Sequence, residues 1–287
     1  MPVALITGAS TGIGRVTALR LARSGWTVLA GVRDPAAGAS MSEESAGAPG
    51  RIVPLTLDVT DADQIAQAAV RVSEQAAEAG RASHAGLDAL VNNAGIGIGG
   101  PLELIAGEDL RRQFEVNVLG QVMVTQAMLP MLRRASGRIV FVSSIGGRVA
   151  MAFTAPYAAS KHAIEAIGDA LRVELRSSNV QVALIEPGSV ATPIWDKSRA
   201  EAELVSVPPE LQRQYGEVPA AMDKVLRDAA RRGIAPERVA ETIEAALTAR
   251  RMKARYLLGA DARAMLVAKR LLPDLLFDRL ARRALGL

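Results

Sequence analysis

Short β-branched runs alternate with longer alanine-rich stretches along this 287-residue chain, and that rhythm constrains the fold more than any other feature. Strand-like runs are expected at residues 3–7, 27–32, 52–57, 89–92, 138–143, 180–186 and 256–259. Helical spacing is expected over 12–24, 62–78, 107–134, 155–178 and 236–250. Strand–helix alternation of this kind predicts an α/β fold: a doubly wound, parallel, seven-stranded sheet with helices on both faces and right-handed crossovers. A composition that is 49% apolar and only 3% aromatic suits parallel strands buried on both sides. Three stretches break the rhythm. Residues 35–50, rich in Ala, Gly, Ser and Glu, read as a mobile surface loop. Residues 194–233 hold Pro208, Pro209 and Pro219 and read as a helical, partly mobile excursion over the sheet. The tail, 261–287, reads as a helical extension of two short helices broken at Pro273, following a main domain of 1–260.

The first strand runs into Thr7-Gly8-Ala9-Ser10-Thr11-Gly12-Ile13-Gly14. Glycines here let the backbone turn tightly and approach a pyrophosphate, while the following helix offers free N–H groups and the positive end of its dipole. The spacing is G-xxx-G-x-G, not the G-x-G-x-x-G of many dinucleotide folds. Its place after the first strand nonetheless marks a Rossmann-like dinucleotide site. The residue that reads the ribose 2′ position is expected at the end of the second strand. Val32 stands there, followed by Arg33 and Asp34. Guanidinium pairs well with phosphate, which favours NADP(H). Asp34 is the candidate for NAD(H), unless it caps a helix that begins at Pro35. Arg15 is a second phosphate candidate or a solvated helix residue.

Tyr157 and Lys161 stand four residues apart, and so on one face of a helix. A free phenol has a pKa near 10, too high for ready proton exchange at neutral pH; a neighbouring ammonium is expected to lower it. Ser144, thirteen residues before the tyrosine, closes a strand and is placed to donate to a substrate oxygen. His162, adjacent to the lysine, points elsewhere and reads as structural.

Taken together, Thr7–Gly14, Asp58-Val59, Asn92-Asn93-Ala94-Gly95, Asn117, Ser144, Tyr157, Lys161, and Pro187-Gly188 followed by Thr192 resemble the short-chain dehydrogenase/reductase family over about residues 1–260. The whole chain looks closest to its retinol and hydroxysteroid dehydrogenase-like group. The resemblance implies that Tyr157 is the general acid in reduction and the base in oxidation. Lys161 would hold the nicotinamide ribose and depress the tyrosine pKa, and Ser144 would orient the substrate. Asn117 would hold a water linking Lys161 to solvent. Gly8, Ser10, Thr11, Gly12, Ile13 and Gly14 would take the phosphates. Asp58 and Val59 would flank the adenine, Asn93, Ala94 and Gly95 would line the ribose, and Pro187, Gly188, Val190 and Thr192 would contact the nicotinamide. The implied function is NADP(H)-dependent interconversion of a lipophilic alcohol and its ketone or aldehyde by direct hydride transfer. An NAD-dependent alcohol or hydroxysteroid dehydrogenase and a non-catalytic nucleotide-sensing scaffold on the same fold stay open as alternatives. The substrate pocket is expected to draw on Ile194, Trp195, Leu204, Val205, Leu211, Tyr215 and Met222, with Val149, Met151 and Phe153 nearby.

Composition bounds the partners. The chain has no cysteine, and its two histidines, His84 and His162, are far apart, so no metal site is expected. From Ala262 onward there are six basic residues against two acids, a surplus of four that equals the net charge of the whole chain, +4. Residues 1–261 are therefore neutral, which argues against a nucleic-acid-binding face. Neither a secretory signal nor a membrane span is visible, and a cytoplasmic location is expected. The family resemblance implies a homo-oligomer, paired through the helices over 107–134 and 155–178. The tail interleaves leucines with arginines, a pattern suited to peripheral membrane contact, to covering the pocket, or to packing on a partner subunit.

Overall fold

The computed structural model describes residues 1–78, 86–194 and 207–285. Seven strands form one wholly parallel sheet: β1 Val3–Ile6, β2 Thr27–Val32, β3 Arg51–Thr56, β4 Ala89–Asn92, β5 Arg138–Val142, β6 Gln181–Pro187 and β7 Arg255–Leu258. Their spatial order is β3-β2-β1-β4-β5-β6-β7, so the winding reverses between β1 and β4. In open α/β sheets such a reversal leaves a crevice beyond the carboxyl ends of the strands.

Alternation along each strand divides the core into two. Val3 and Leu5 of β1, with Leu90 of β4 and Phe141 of β5, point to one face. There they pack on α3 (Ala62–Glu78), α5 (Gly120–Ala135) and α6 (Ala155–Glu174) through Val72, Met128 and Ile164. Ala4, Ile6, Val91 and Val140 point to the other. They meet α1 (Gly12–Arg23), α2 (Pro35–Glu44) and α8 (Pro236–Thr248) through Leu21, Met41 and Ile243. Each fully buried aliphatic side chain of this kind contributes about 1.5–3 kcal/mol.

Two expectations are corrected. Residues 35–50 are not a loop: α2 occupies Pro35–Glu44. Asp34 caps it, accepting from Ala36 N at 2.9 Å, Pro35 presets the first turn, and Met41 is buried. Gly38 brings the helix against Pro54, where a Cβ would lie 2.8 Å from the proline's own Cβ. Residues 107–134 are not one helix. α4 (Gly107–Phe114) passes into a π-helical turn, Glu115–Leu119, before α5 begins. The extra residue in that turn re-aims Asn117 into the core.

Within the excursion, residues 195–206, which include Trp195, Leu204 and Val205, lie outside the described residues, as does His84. The remainder holds a single turn at Gln212–Tyr215 and α7 (Val218–Arg232). The tail forms α9 (Ala260–Leu271) and α10 (Asp274–Leu285), with the break at Pro273 as expected. It is no free appendage: Ala262 and Phe277 are buried against Ile145 and Val149, which follow β5. Among the described residues no helix is long and apolar enough to cross a membrane.

Candidate active site

One cleft of about 280 Å³ crosses the carboxyl ends of six strands in their spatial order. Asp58 and Val59 follow β3, Arg33 follows β2, and Gly8 to Ile13 follow β1. Asn93 to Gly99 follow β4, Ser143 and Ser144 follow β5, and Gly188 to Ile194 follow β6. Tyr157 and Lys161 reach it from α6. All the expected cofactor-contacting residues line this cleft except Gly14.

The glycine turn works by close approach. Gly8 has φ +63°, a conformation that favours glycine, and a Cβ there would lie 2.8 Å from Ala94 Cα. Gly14 faces the interior, where a Cβ would lie 2.5 Å from both Gly8 O and Asn93 Nδ2. The turn is clamped by β4. The buried Thr7 hydroxyl accepts from Asn93 N and Ala94 N, each at 3.0 Å, and Asn93 Nδ2 donates to Thr7 O and Gly8 O. Asn93 thus braces the turn as well as lining the cleft. Thr11, the N-cap of α1, makes no side-chain cap, and the first turn of α1 carries no acid. The orphan N–H groups and the dipole are left for an anion, so the site fits a dinucleotide pyrophosphate.

At the β2 end the two candidates separate. Asp34 is engaged as the cap of α2, whereas Arg33 lines the cleft, is exposed, and has no ion-pair partner among the described residues. Arg15 pairs with Glu44 instead of entering the cleft. Asp58 holds its own turn, accepting from Thr60 N and Thr60 Oγ1, while Asp61 caps α3 through Asp63 N and Gln64 N.

At the β5 end Ser144 Oγ accepts from Gly146 N at 3.0 Å. Tyr157 is half-buried in the cleft, and its ring centroid is 5.8 Å from Lys161 Nζ. Lys161 is buried and donates to Val142 O at 2.9 Å. Burial pushes its ammonium down to about 8, against the pull of Glu165. The Tyr157 phenol is not lowered: burial raises it above the usual value, and a hydrogen bond with Ser144 offsets only part of that rise. The expected lowering by Lys161 is not found: burial sets the direction, and the group that opposes it is Ser144.

Asn117 lies behind the cleft, fully buried in the π turn. Its Oδ1 accepts from Ile96 N at 2.8 Å, and its Nδ2 donates to Ile96 O and to Ser160 Oγ. It fixes the strand-end peptide under Gly95 and joins it to α6. His162 Nδ1 bonds Ala158 O on its own helix, in keeping with the structural reading.

Beyond Tyr157 the lining turns apolar, with Ile98, Ile194, Met222 and Leu226 around Thr154. Val149 and Met151 were expected here and are elsewhere: both pack under the tail. Tyr215 is at the surface, where its hydroxyl donates to Glu103 at 2.8 Å. Ile96, Ile98 and Leu226 escaped the sequence reading, because an isolated apolar residue in a loop or amphipathic helix carries no signal of which cavity it faces. Asp261, at the start of the tail, accepts from Ser189 N and so holds the loop after β6.

Comparison with known proteins agrees with this geometry. Residues 2–203 match the family model described as short chain dehydrogenase. Retinol dehydrogenase 5 of Mus musculus is 37% identical over 285 residues, covering 95% of this chain and 85% of the relative. The NADPH-dependent 3-dehydrocapnine reductase of Ornithobacterium rhinotracheale is 33% identical over 285 residues, covering 98% and 96%. Among solved structures, a short chain dehydrogenase/reductase from Burkholderia phymatum in complex with NAD superposes with TM-score 0.75 at 27% identity, covering 94% of this chain and 92% of that one. With sheet order, glycine turn and tyrosine–lysine pair in place, the chain belongs to the short-chain dehydrogenase family of NAD(P)-dependent oxidoreductases.

Proposed function

We propose that this protein interconverts a lipophilic alcohol and its carbonyl partner using NADP(H), with Tyr157 as the acid and base. The observation that carries the reading is the single cleft that joins an anion-binding helix terminus to the Ser144–Tyr157–Lys161 group and then to an apolar end. The bound nicotinamide would supply or accept the hydride. Ser144 and Tyr157 would hold the substrate oxygen between two hydroxyls. In reduction the Tyr157 phenol gives its proton to that oxygen as the carbonyl carbon is reduced. In oxidation the phenolate takes a proton from the alcohol. Burial keeps the phenol protonated at neutral pH, so the acid needed for reduction is present there. Lys161 contributes a positive charge beside the phenol. Asn117 holds Ile96 and Ser160 and thereby fixes the strand end and α6 relative to each other.

NADP(H) over NAD(H) rests on Arg33, which faces the cleft while Asp34 is spent on a helix cap. The lipophilic substrate rests on Ile98, Ile194, Met222 and Leu226, and is in keeping with one relative's being named for retinol and another for NADPH. The assay is carbonyl reduction with NADPH by Tyr157→Phe, in parallel with cofactor titration. Loss of the acid should lower turnover by about 10²–10⁴-fold while leaving the NADPH dissociation constant within threefold. Turnover retained in that variant would refute the role of Tyr157.

A further inference from the structure

We propose that Glu165, one helical turn beyond Lys161 on α6, is a positioning residue: its carboxylate is the counter-charge that keeps Lys161 cationic. This rests on the reading of Lys161 given above. Positions i and i+4 share a helix face, so Glu165 extends the Tyr157–Lys161 row along α6, where Lys161 and Glu165 are both buried. Gly147 packs in the angle between them. A Cβ there would lie 2.9 Å from Ser143 Oγ, 3.0 Å from Glu165 Cγ and 3.0 Å from Lys161 O.

The groups around Glu165 come from every neighbouring element. From β7, Arg255 Nε lies 3.0 Å from Glu165 Oε2 and 2.9 Å from Glu186 Oε1, and its Nη2 lies 2.6 Å from Asp169. From β6, the buried Glu186 also takes Arg148 at 3.0 Å. From α6, Asp169 is held by Arg172 as well. From the end of β5, the Ser143 hydroxyl is close enough to favour ionised Glu165 but lies outside good hydrogen-bond geometry.

With Glu165 ionised, three carboxylates (Glu165, Asp169, Glu186) face four cations (Lys161, Arg148, Arg172, Arg255). With Glu165 protonated, the buried Lys161 has no carboxylate within one turn on its own helix face. Burial pushes the Glu165 carboxyl up to about 7, helped by Glu186 and opposed by Ser143 and Arg255. Among the described residues, Glu165 is the charge that raises Lys161 against its burial.

The chain has only five lysines, so ¹³Cε-lysine labelling gives a countable spectrum in which Lys161→Met assigns the Lys161 signal. The Lys161 midpoint is expected near 8 in the wild type. In Glu165→Gln it should fall by about half to one pH unit, and Glu165→Asp should restore it. The alkaline limb of NADPH-dependent carbonyl reduction should move down with it. A Glu165→Gln midpoint equal to the wild type's, or one equally displaced in Glu165→Asp, overturns the proposal. A midpoint that moves while the kinetic limb stays supports the counter-charge and counts instead against Lys161's part in turnover. Should Glu165→Gln not fold, the wild type still decides: ionisation of the neighbouring carboxyl must spread the Lys161 titration beyond a one-proton curve. A Lys161 signal that follows a single one-proton curve overturns the proposal.

Discussion

Replacing Arg33 with Ala isolates the interaction that would distinguish the two nicotinamide cofactors. Arg33 follows β2 and faces the cleft, and no carboxylate among the described residues competes for it. A hydrogen bond to a charged group contributes about 1.5–3 kcal/mol net, and an exposed guanidinium belongs at the low end of that range. At about 1.4 kcal/mol per tenfold, Arg33→Ala should weaken NADPH about 10- to 30-fold. NADH, which lacks the 2′-phosphate, should change by less than threefold. The control is Asp34→Ala. Loss of its bond to Ala36 N should cost about 1 kcal/mol of stability and leave both affinities within threefold. The assay is fluorescence titration of each protein with NADPH and NADH at one ionic strength, since an exposed charge pair weakens as salt is raised. Equal losses for the two cofactors in Arg33→Ala would refute the phosphate-reading argument. Selective loss of NADH in Asp34→Ala would make Asp34 the ribose reader and the enzyme NAD-dependent.

Three further outcomes follow from the same geometry. Gly14→Ala places a Cβ 2.5 Å from Gly8 O, a backbone atom that cannot yield, so NADPH and NADH should weaken together by at least about tenfold; unchanged titrations would refute the close-packing role. Because the folded-state pKa of Glu165 is raised, its stabilising contribution is present below its unfolded value and is lost as pH rises through about 7; melting temperatures should fall between pH 5 and 8 in the wild type and less so in Glu165→Gln. Leu271 and Leu275 are 72% and 75% exposed in the tail, near Arg270 and Arg279, so the full chain should co-sediment with anionic vesicles and a Leu271→Ser/Leu275→Ser variant should not; equal sedimentation of the two would remove membrane contact through this face.

How much of this was legible beforehand depends on whether a residue's role is local. The strands were readable because β-branched runs bounded by turn residues have one outcome in a parallel sheet. The Gly8–Gly14 turn and the Tyr157–Lys161 spacing were readable because each is set within a single loop or helix. α2 was missed even though its start was written in Asp34-Pro35. Its four alanine and glycine positions suggest a loop until Pro54 and Val32 are there to receive Gly38. The π turn at Glu115–Leu119 has no sequence signature at all, since it exists to place Asn117 against Ile96, twenty-one residues away.

The same distinction explains the tail and the tyrosine. The sequence shows a basic, leucine-rich extension, but not that Phe277 and Ala262 cover Ile145 and Val149, or that Asp261 holds Ser189 N. Those contacts tie the last helices to the loops on either side of the cleft, so deleting the tail would disturb the site itself and could not by itself test a surface role. For Tyr157, spacing correctly brings an ammonium to the phenol's helix face. The net pKa direction depends on how much water both groups lose, which only the packed structure supplies. On the proposed roles of Tyr157 and Lys161, a half-buried phenol beside a lysine whose charge answers to Glu165 would place the control of proton transfer one turn further along α6 than the tyrosine–lysine pair alone suggests.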